Sequence, residues 1–293
     1  MPVISIIIPC YNSSLYIKET LESVQKQTFQ DWECIIVNDG STDNSLDIIK
    51  EYSYKDKRFY YIDKKNEGPA IARNIAIHNS TGEFILPLDS DDIIEPTYTE
   101  KAIQHFRLYP KTKLVYCQAE LFGNKNGKWD LPNYSYRKLI WANCIFCAAI
   151  YRREDYDKTK GYNPNMNMVE EDWDFYLSLL NINDLVYQIP EILFYYRQHE
   201  KSRTNLEPQV LIASRLQLIL NHPDIYQKDI QDTAIWLLET CGIQEDILKL
   251  NKKLEYTSNE LYKITHSKSF KIGKVITFPL HIIRRLICLY HIL

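Results

Sequence analysis

The sequence predicts an α/β protein in which a mostly parallel β-sheet has helices on both faces, followed by a helical extension. Apolar runs that suit buried strands alternate with helical stretches between residues 3 and 112. A polar segment follows each of the first four predicted strands, and after residue 205 only helical patterns remain. This order is typical of sheets built from β-α-β units, whose functional loops lie at the carboxyl ends of the strands.

Four strands and four helices are predicted in the first part of the chain. The strands are expected over residues 3–8, 32–37, 58–62 and 83–88, and the helices over residues 14–27, 44–52, 69–78 and from near Pro96. Further strands are expected over residues 114–117, 145–151 and 185–189, with a helix over 170–180 and loops over 123–132 and 195–204. We therefore predict one domain over residues 1–205, whose halves divide after residue 112, and a helical extension over residues 206–293.

Composition and charge exclude several classes of protein. The formal net charge is −3, whereas nucleic-acid-binding proteins are usually basic, so no nucleic-acid partner is expected. The seven cysteines show no disulfide spacing, and no basic region or cleavage site of a signal peptide is present at the start of the sequence. A cytoplasmic protein with reduced thiols is therefore expected. Cys144 and Cys147 form a lone C-x-x-C without further ligands at zinc spacing, which favours packing in the core.

The last stretch of the sequence, residues 263–293, combines basic and apolar residues. No acidic residue follows Glu260, and Pro279 interrupts the apolar runs. These runs are shorter than the ~20 residues that a membrane-spanning helix needs. Two interpretations remain open. The segment contacts the anionic inner leaflet of the cytoplasmic membrane, which this charge pattern favours, or it packs on the first domain with a solvated basic face.

Three carboxylates follow the fourth predicted strand within four residues, at Asp89, Asp91 and Asp92. Acids placed so closely repel one another unless a cation or strong hydrogen bonds hold them. Oxygen ligands suit Mg²⁺ or Mn²⁺, and such a cation neutralises a diphosphate and stabilises a leaving group that gains charge. The alternative is an acidic turn that caps the following helix.

Polar side chains also follow the first three strands. Asp39 can accept an N–H of a nucleobase, Tyr11 can lie against a base, and Asn12 can bond a base or ribose. A cation at Arg73 would face phosphate or base. Each of these residues, taken singly, also suits an ordinary turn or surface, but together they lie at one sheet edge. The candidate nucleotide-binding residues are Pro9, Tyr11, Asn12, Asp39, Asn66, Arg73, Asp89 and Ser90.

At these segments the sequence resembles the inverting family 2 glycosyltransferases of GT-A fold. The resemblance rests on IIIPCYN at residues 6–12, IVNDGSTD at 36–43, NEGPAIARN at 66–74 and LDSDD at 88–92. It implies that Asp39 contacts a uracil-type base, that Asp91 of the D-x-D motif holds the metal, and that Asp89 lies near ribose and phosphate. One departure is Asn38, where the family often has a second Asp.

The acceptor half carries the acidic segment EEDWD at residues 170–174, which opens a predicted helix. Acids in a first turn are favoured by the helix dipole, which is the structural alternative. An inverting transfer needs one carboxylate to accept the proton of the attacking hydroxyl. The resemblance implies that Asp172 is this base, with Glu171 as the alternative.

The segment YRQHEKS at residues 196–202 resembles one that follows the base in many relatives. The resemblance makes His199 a candidate metal ligand, or a contact of the diphosphate. A lone histidine in a loop is otherwise more often exposed to solvent.

Together these features predict a GT-A catalytic domain with a nucleotide-sugar-binding half (1–112) and an acceptor half (113–205). We expect a metal-dependent inverting hexosyltransferase that uses Mn²⁺ or Mg²⁺ and moves a sugar from a UDP-hexose or UDP-N-acetylhexosamine to a glycan or lipid-linked acceptor. Surface polysaccharide or lipopolysaccharide synthesis at the inner face of the membrane would suit the segment 263–293. The alternative from another class is a non-catalytic nucleotide-sugar or glycan-binding module, which would not need Asp172. A processive synthase is disfavoured by the lack of spanning helices and of a Q-x-x-R-W motif, and a nucleotidyltransferase by the lack of a Gly-rich basic loop after the first strand.

Overall fold

The computed structural model describes residues 2–166, 169–199, 208–240 and 252–260. The chain divides into two compact units, Met1–Thr240 and Cys241–Leu293. The described part of the second unit is helical over residues 252–260. The predicted membrane-contacting segment, residues 263–293, lies outside the described residues. Among the described residues, no helix combines the length and the apolar character that crossing a membrane requires.

The described strands of the first unit form one sheet. Its first seven described α-helices lie between strands in the chain, and the other three follow the last described strand. In chain order the described strands are β1 (Ile4–Cys10), β2 (Trp32–Asp39), β3 (Phe59–Lys64), β4 (Phe84–Pro87), β5 (Ile93–Ile94), β6 (Thr112–Gly123), β7 (Gly127–Trp129), β8 (Ile150–Arg152) and β9 (Leu185–Gln198). The helices are α1 (Ile17–Gln25), α2 (Ser45–Lys55), α3 (Pro69–His78), α4 (Tyr98–Leu108), α5 (Tyr136–Leu139), α6 (Arg153–Tyr156), α7 (Glu171–Leu179), α8 (Pro208–Asn221), α9 (Pro223–Tyr226) and α10 (Ile230–Thr240), with a 3₁₀ turn at Gln227–Asp229.

The strand order is β3-β2-β1-β4-β8-β6-β9-β5, and β7 pairs with β6. Strands β3, β2, β1 and β4 are parallel, as the alternating pattern predicts. All residues of β1 and β2 are buried, which is why both segments are nearly continuous apolar runs. The predicted α/β class with a mostly parallel sheet is therefore confirmed. Helices α8, α9 and α10 come after the last described strand, as expected for a helical extension.

The second half of the sheet is mixed. Strand β8 is antiparallel to both β4 and β6, while β6 and β9 are parallel. Strand β9 is longer than expected and includes residues 195–198 of the predicted loop over residues 195–204, because β6 and β5 pair with this stretch. The predicted polar loop over residues 123–132 contains the short strand β7, which forms a hairpin with β6. Only the end of the predicted strand 145–151 has strand geometry.

Helices α8 and α10 belong to the first compact unit. Trp236 of α10 donates its indole N–H to the Trp141 carbonyl at 2.8 Å, and its ring lies 6.0 Å from that of Trp173. Ser214 of α8 is buried. The first unit thus extends to Thr240, while the functional division at residue 205 stays a prediction.

The start of β4 is packed against β1 without space for a side chain at Gly82. A methyl group at this position would lie 2.6 Å from the Ser5 backbone nitrogen and 2.6 Å from its Oγ. The glycine N–H also donates to Ser5 Oγ at 2.8 Å. We expect Gly82→Ala to lower the free energy of unfolding by ~1–3 kcal/mol, because the two strands must separate.

Urea denaturation followed by tryptophan fluorescence measures this loss. The neighbouring Glu83→Ala is the control: its side chain is 64% exposed and its pair with Arg152 is loose, at 3.4 Å. It should change the free energy of unfolding by no more than ~0.5 kcal/mol. Equal stability of Gly82→Ala and the wild type would contradict the close contact of β1 and β4.

Candidate active site

The polar candidates of the first half lie where parallel strands end. Asn12 and Asp39 come from the ends of β1 and β2, and Asp89 follows β4. Because β1 pairs in parallel with both β2 and β4, these ends share one edge of the sheet. Pro9 is buried inside β1 opposite Val37, one residue before the strand ends.

The loop after β1 is fixed by Asn12. This residue has φ 49°, in the left-handed region that asparagine tolerates better than most residues. Its side-chain oxygen accepts the backbone N–H of Thr42 at 2.8 Å, and its own N–H donates to Ser41 Oγ at 3.0 Å. The neighbouring Tyr11 side chain is 52% exposed. Asn12 therefore ties the β1 and β2 loops together, and Tyr11 presents its ring to solvent.

Asp39 is buried at the tip of β2 and is held from three sides. Its carboxylate accepts the backbone N–H of Glu67 at 3.0 Å and of Gly68 at 2.8 Å. Lys64 Nζ lies 2.6 Å from Asp39 Oδ1. These contacts fix the orientation of the carboxylate at the end of the strand.

The β2 and β3 loops come very close to each other. Gly40 has φ 73°, and a methyl group there would lie 2.7 Å from the Asn66 backbone nitrogen. The position requires glycine both for its backbone conformation and for this approach. Asn66 is exposed beside it. Asn38, the departure noted above, donates its side-chain N–H to Asp63 at 2.7 Å within this same region.

Arg73 of α3 is fully buried between two carboxylates. Its guanidinium binds Asp89, the first acid of the D-x-D motif, and Glu171 at 2.7 Å. It also faces the ring of Tyr162, 5.5 Å from the ring centroid. In this structure Arg73 thus joins the end of β4 to the start of α7, and its predicted contact with phosphate or base stays a prediction.

Asp91 and His199 lie together. His199 Nε2 is 2.9 Å from Asp91 Oδ2, and the imidazole stacks on Tyr16 with a centroid distance of 5.0 Å. Burial and the nearby Asp89 carboxylate raise the pKa of Asp91, although His199 opposes this shift. Residues that are 108 positions apart in the chain therefore form one carboxylate–imidazole pair.

The remaining residues of the acidic turn hold the surrounding loops. Asp92 is fully buried and accepts the backbone N–H of Arg197 at 2.8 Å, while its Oδ2 has no hydrogen-bond partner within the described part of the chain. Burial and the neighbouring Asp91 carboxylate raise the pKa of Asp92 well above its ordinary value. The Ser90 hydroxyl lies 2.6 Å from that of Ser13.

Sequence reasoning missed Cys147 as a neighbour of the acidic turn. Its sulfur lies 3.5 Å from Asp89 Oδ2, and one ligand atom from each of Cys147, Asp89 and Asp92 falls within a 4.8 Å cluster. The C-x-x-C pattern marked this cysteine, but spacing along the chain gave no sign of the two acids beside it. Both Cys144 and Cys147 are buried free thiols, in agreement with the core interpretation.

Asp172 lies in the first turn of α7, next to the Arg73 bridge. Its carboxylate accepts the Trp173 backbone N–H at 2.8 Å and lies 3.4 Å from the Asn143 side-chain nitrogen. Burial and the adjacent Glu171 carboxylate raise the pKa of Asp172 to about 7. Glu171, the alternative base, is itself bound to Arg73, so Asp172 is the acid suited to accept a proton near neutral pH.

The chemistry of the acidic turn fits a hard divalent cation. Asp89 and Asp91 offer carboxylate oxygens, and His199 offers an imidazole nitrogen. Mn²⁺ and Mg²⁺ bind ligand sets of this kind, in which most ligands are oxygens. The Asp91 and His199 side chains are 26% and 18% exposed, so a ligand can reach them. Asp92 Oδ2 has no hydrogen-bond partner among the described residues, and burial raises the pKa of Asp91, so a cation at this turn would stabilise both carboxylates.

Fold and site together define a glycosyltransferase of GT-A type. Residues 5–160, just over half of the 293 residues, match the family described as Glycosyl transferase family 2. EpsH of Bacillus subtilis (strain 168), which carries a glycosyltransferase name, is 31% identical over 91% of this chain and 75% of its own length. The chain belongs to glycosyltransferase family 2.

Further similarities extend to a longer polymer-forming relative and to solved structures. The chondroitin synthase of Escherichia coli is 35% identical over 62% of this chain, which spans only 27% of that protein. The structure of S. aureus TarS 1-349 in complex with UDP-GlcNAc has a TM-score of 0.61 at 22% identity, covering 75% of this chain and 66% of that one. The mannosyltransferase PcManGT from Pyrobaculum calidifontis, in complex with GDP-Man and Mn²⁺, has a TM-score of 0.58 at 17% identity, covering 92% and 82%. These two structures support the GT-A fold.

Removal of the Arg73 guanidinium should strongly destabilise the protein. Arg73→Ala leaves Asp89 and the buried Glu171 without their common counter-ion. We expect the free energy of unfolding to fall by ~3–5 kcal/mol, as for other buried charges that lose their partner. Chemical denaturation measures the change, with Arg137→Ala as the control because Arg137 is exposed on α5. A loss below ~1 kcal/mol would show that the bridge contributes little.

Proposed function

We propose that this protein is a metal-dependent inverting hexosyltransferase that uses a UDP-hexose or UDP-N-acetylhexosamine as donor. The observation that carries the proposal is the Arg73 bridge, which binds Asp89 beside the acidic turn and Glu171 beside Asp172. It brings a candidate metal site and a carboxylate with a pKa of about 7 into one site. In a direct displacement the attacking hydroxyl loses its proton while the leaving diphosphate gains charge, so a base and a source of positive charge are useful in the same site.

The nucleotide would lie along the sheet edge formed by the β1, β2 and β3 loops. Asp39 is placed at the tip of β2, and its neighbours fix its carboxylate. The exposed ring of Tyr11 offers a face for a base, while Asn12 and Asn66 lie on the flanking loops. The UDP-GlcNAc bound to TarS, a protein of the same fold, supports a uridine donor for this chain.

Asp91 and His199, with Asp89 beside them, are the residues that would hold Mn²⁺ or Mg²⁺. When bound, such a cation supplies the positive charge that stabilises the departing nucleoside diphosphate. Ser90 and Asp89 lie next to this position and would face ribose and phosphate. The Mn²⁺ in the PcManGT complex supports a divalent cation for this chain.

Asp172 would accept the proton of the acceptor hydroxyl as its oxygen attacks the anomeric carbon. Its carboxylate is partly buried and is oriented by the Trp173 N–H. One base on the acceptor side is the requirement of a single displacement, which inverts the anomeric centre. We further propose a glycan or lipid-linked acceptor in surface polysaccharide assembly, and the similarity to a chondroitin synthase supports a glycan acceptor.

Release of nucleotide from a donor panel tests the donor and metal assignments. We expect UDP release from one UDP-sugar among UDP-, GDP- and dTDP-sugars in the presence of Mn²⁺ or Mg²⁺. EDTA and Asp91→Ala should each abolish it, because Asp91 is the proposed ligand. The matched control is Asp47→Ala, which removes an exposed acid on α2 and should keep the wild-type rate. Undiminished release in EDTA would refute the metal dependence, and the absence of both release and UDP binding would favour a glycan-binding module.

The pH dependence of the rate tests the base. Asp172 must be ionised to accept a proton, and its pKa is about 7, so kcat/KM should rise with pH and level off above that value. Asp172→Asn should lower kcat by ~10²–10⁴-fold and remove this rise. The midpoint of thermal unfolding at pH 8 should stay equal or increase, since the substitution removes a poorly solvated charge. Asp224→Asn, at an exposed position, is the control and should keep the wild-type rate. A full rate in Asp172→Asn would show that the protein uses another base or none.

A further inference from the structure

The first turn of α7 carries an unusual set of acids, and most of them are bound by residues from other elements. Glu170, Glu171, Asp172 and Asp174 all lie within this turn or at its cap. Glu171 is bound by Arg73 of α3. The partners of Glu170 and Asp174 come from α8 and the residue after it, in a part of the chain beyond the residues that match the family.

Glu170 has a strained backbone that α8 secures. It has φ 64° and ψ 23°, the left-handed region, which costs a non-glycine residue on the order of 1 kcal/mol. Its carboxylate binds the Arg215 guanidinium at 2.9 Å and the Ser214 hydroxyl at 3.0 Å. Both partners lie on consecutive positions of α8. These contacts fix the backbone two residues before Asp172.

Arg215 also packs against the residue that follows Asp172. Its guanidinium lies 4.3 Å from the ring centroid of Trp173 and 5.0 Å from that of Trp236. The Trp173 indole N–H donates to the Leu139 carbonyl at 2.6 Å, and its backbone N–H orients the Asp172 carboxylate. The cation therefore contacts the α7 turn on both sides of the proposed base.

The end of α8 holds the same turn from its other side. Asp174 is buried and accepts the side-chain N–H of Asn221 at 2.7 Å, while His222 Nε2 lies 3.0 Å from the same oxygen. The backbone N–H of Asp174 donates to the Glu170 carbonyl at 3.0 Å. Asp172 differs from its neighbours, because among the described residues no cation lies within ion-pair distance of its carboxylate.

We propose that α8 is a part of the catalytic site and that Arg215 and Ser214 are positioning residues, which act through Glu170 to orient Asp172. This inference rests on the proposed role of Asp172 as the base. Glu170 and Glu171 are paired with Arg215 and Arg73, and Asp174 is hydrogen-bonded by Asn221 and His222, so the turn keeps one carboxylate directed to the acceptor. A displacement of about 1 Å in such a group lowers a rate by on the order of 10²-fold.

Steady-state kinetics of UDP release test the inference, with UDP-GlcNAc or the UDP-sugar that the wild type uses fastest. We expect Arg215→Ala to lower kcat by ~10- to 100-fold and to leave the donor KM and the Kd of UDP within about twofold. Ser214→Ala should lower kcat in the same selective way but less. Arg215→Lys should recover part of the loss, because it keeps a cation beside Glu170. Leu220→Ala, 71% exposed on the same helix, is the matched control and should keep the wild-type kcat.

A double-mutant comparison distinguishes positioning from a general structural role. If Arg215 acts through the base, Arg215→Ala should change the residual kcat of Asp172→Asn by less than about twofold. An equal loss in both backgrounds, or a parallel change of kcat and UDP affinity, would overturn the inference. If Arg215→Ala does not fold, Ser214→Ala in the same two backgrounds decides. A wild-type kcat in Asp172→Asn alone would instead refute the role of Asp172 as the base, on which this inference rests.

Discussion

The ion bridge of Arg73 is the interaction on which the rest of the site depends. A buried guanidinium is stable only where carboxylates surround it, and here they come from β4 and α7. The planar group presents its two terminal nitrogens to different partners, so one side chain fixes two elements at once. One of these elements, β4, belongs to the parallel half of the sheet, and the other, α7, lies between strands β8 and β9 of the mixed half. The two halves of the domain are therefore joined at the place where donor and acceptor would meet.

The carboxylates of the candidate site each have a different environment. Asp39 is held by backbone N–H groups and a lysine, Glu171 by arginine, and Asp91 by histidine. Burial and the neighbouring Glu171 carboxylate raise the pKa of Asp172 to about 7. Differences of this kind allow acids of one type to have separate roles in a single site.

Local patterns in the sequence predict much of the fold, but they predict the candidate site only in part. Helix α3 occupies the predicted residues 69–78 because Pro69, the apolar spacing and the absence of breakers all act within a few residues. The length of β9 was underestimated, since its polar end becomes a strand only through pairing with β6 and β5. The partners of Arg73 could not be predicted from the sequence either. Glu171 is 98 positions away, and no spacing rule relates the two residues. The contacts of α8 with α7 depend on packing that the sequence pattern does not encode.

The left-handed Glu170 has a consequence for engineering of this enzyme. Its backbone conformation and the poorly solvated Asp172 both raise the free energy of the folded state, and the latter does so increasingly as the pH rises from about 4 toward 7. Selection for thermal stability alone would favour a neutral residue at position 172, whereas glycine at position 170 would relax the backbone but leave Arg215 without its carboxylate. Stabilised variants of this enzyme would thus tend to lose turnover first, so a library should be screened for both properties at once.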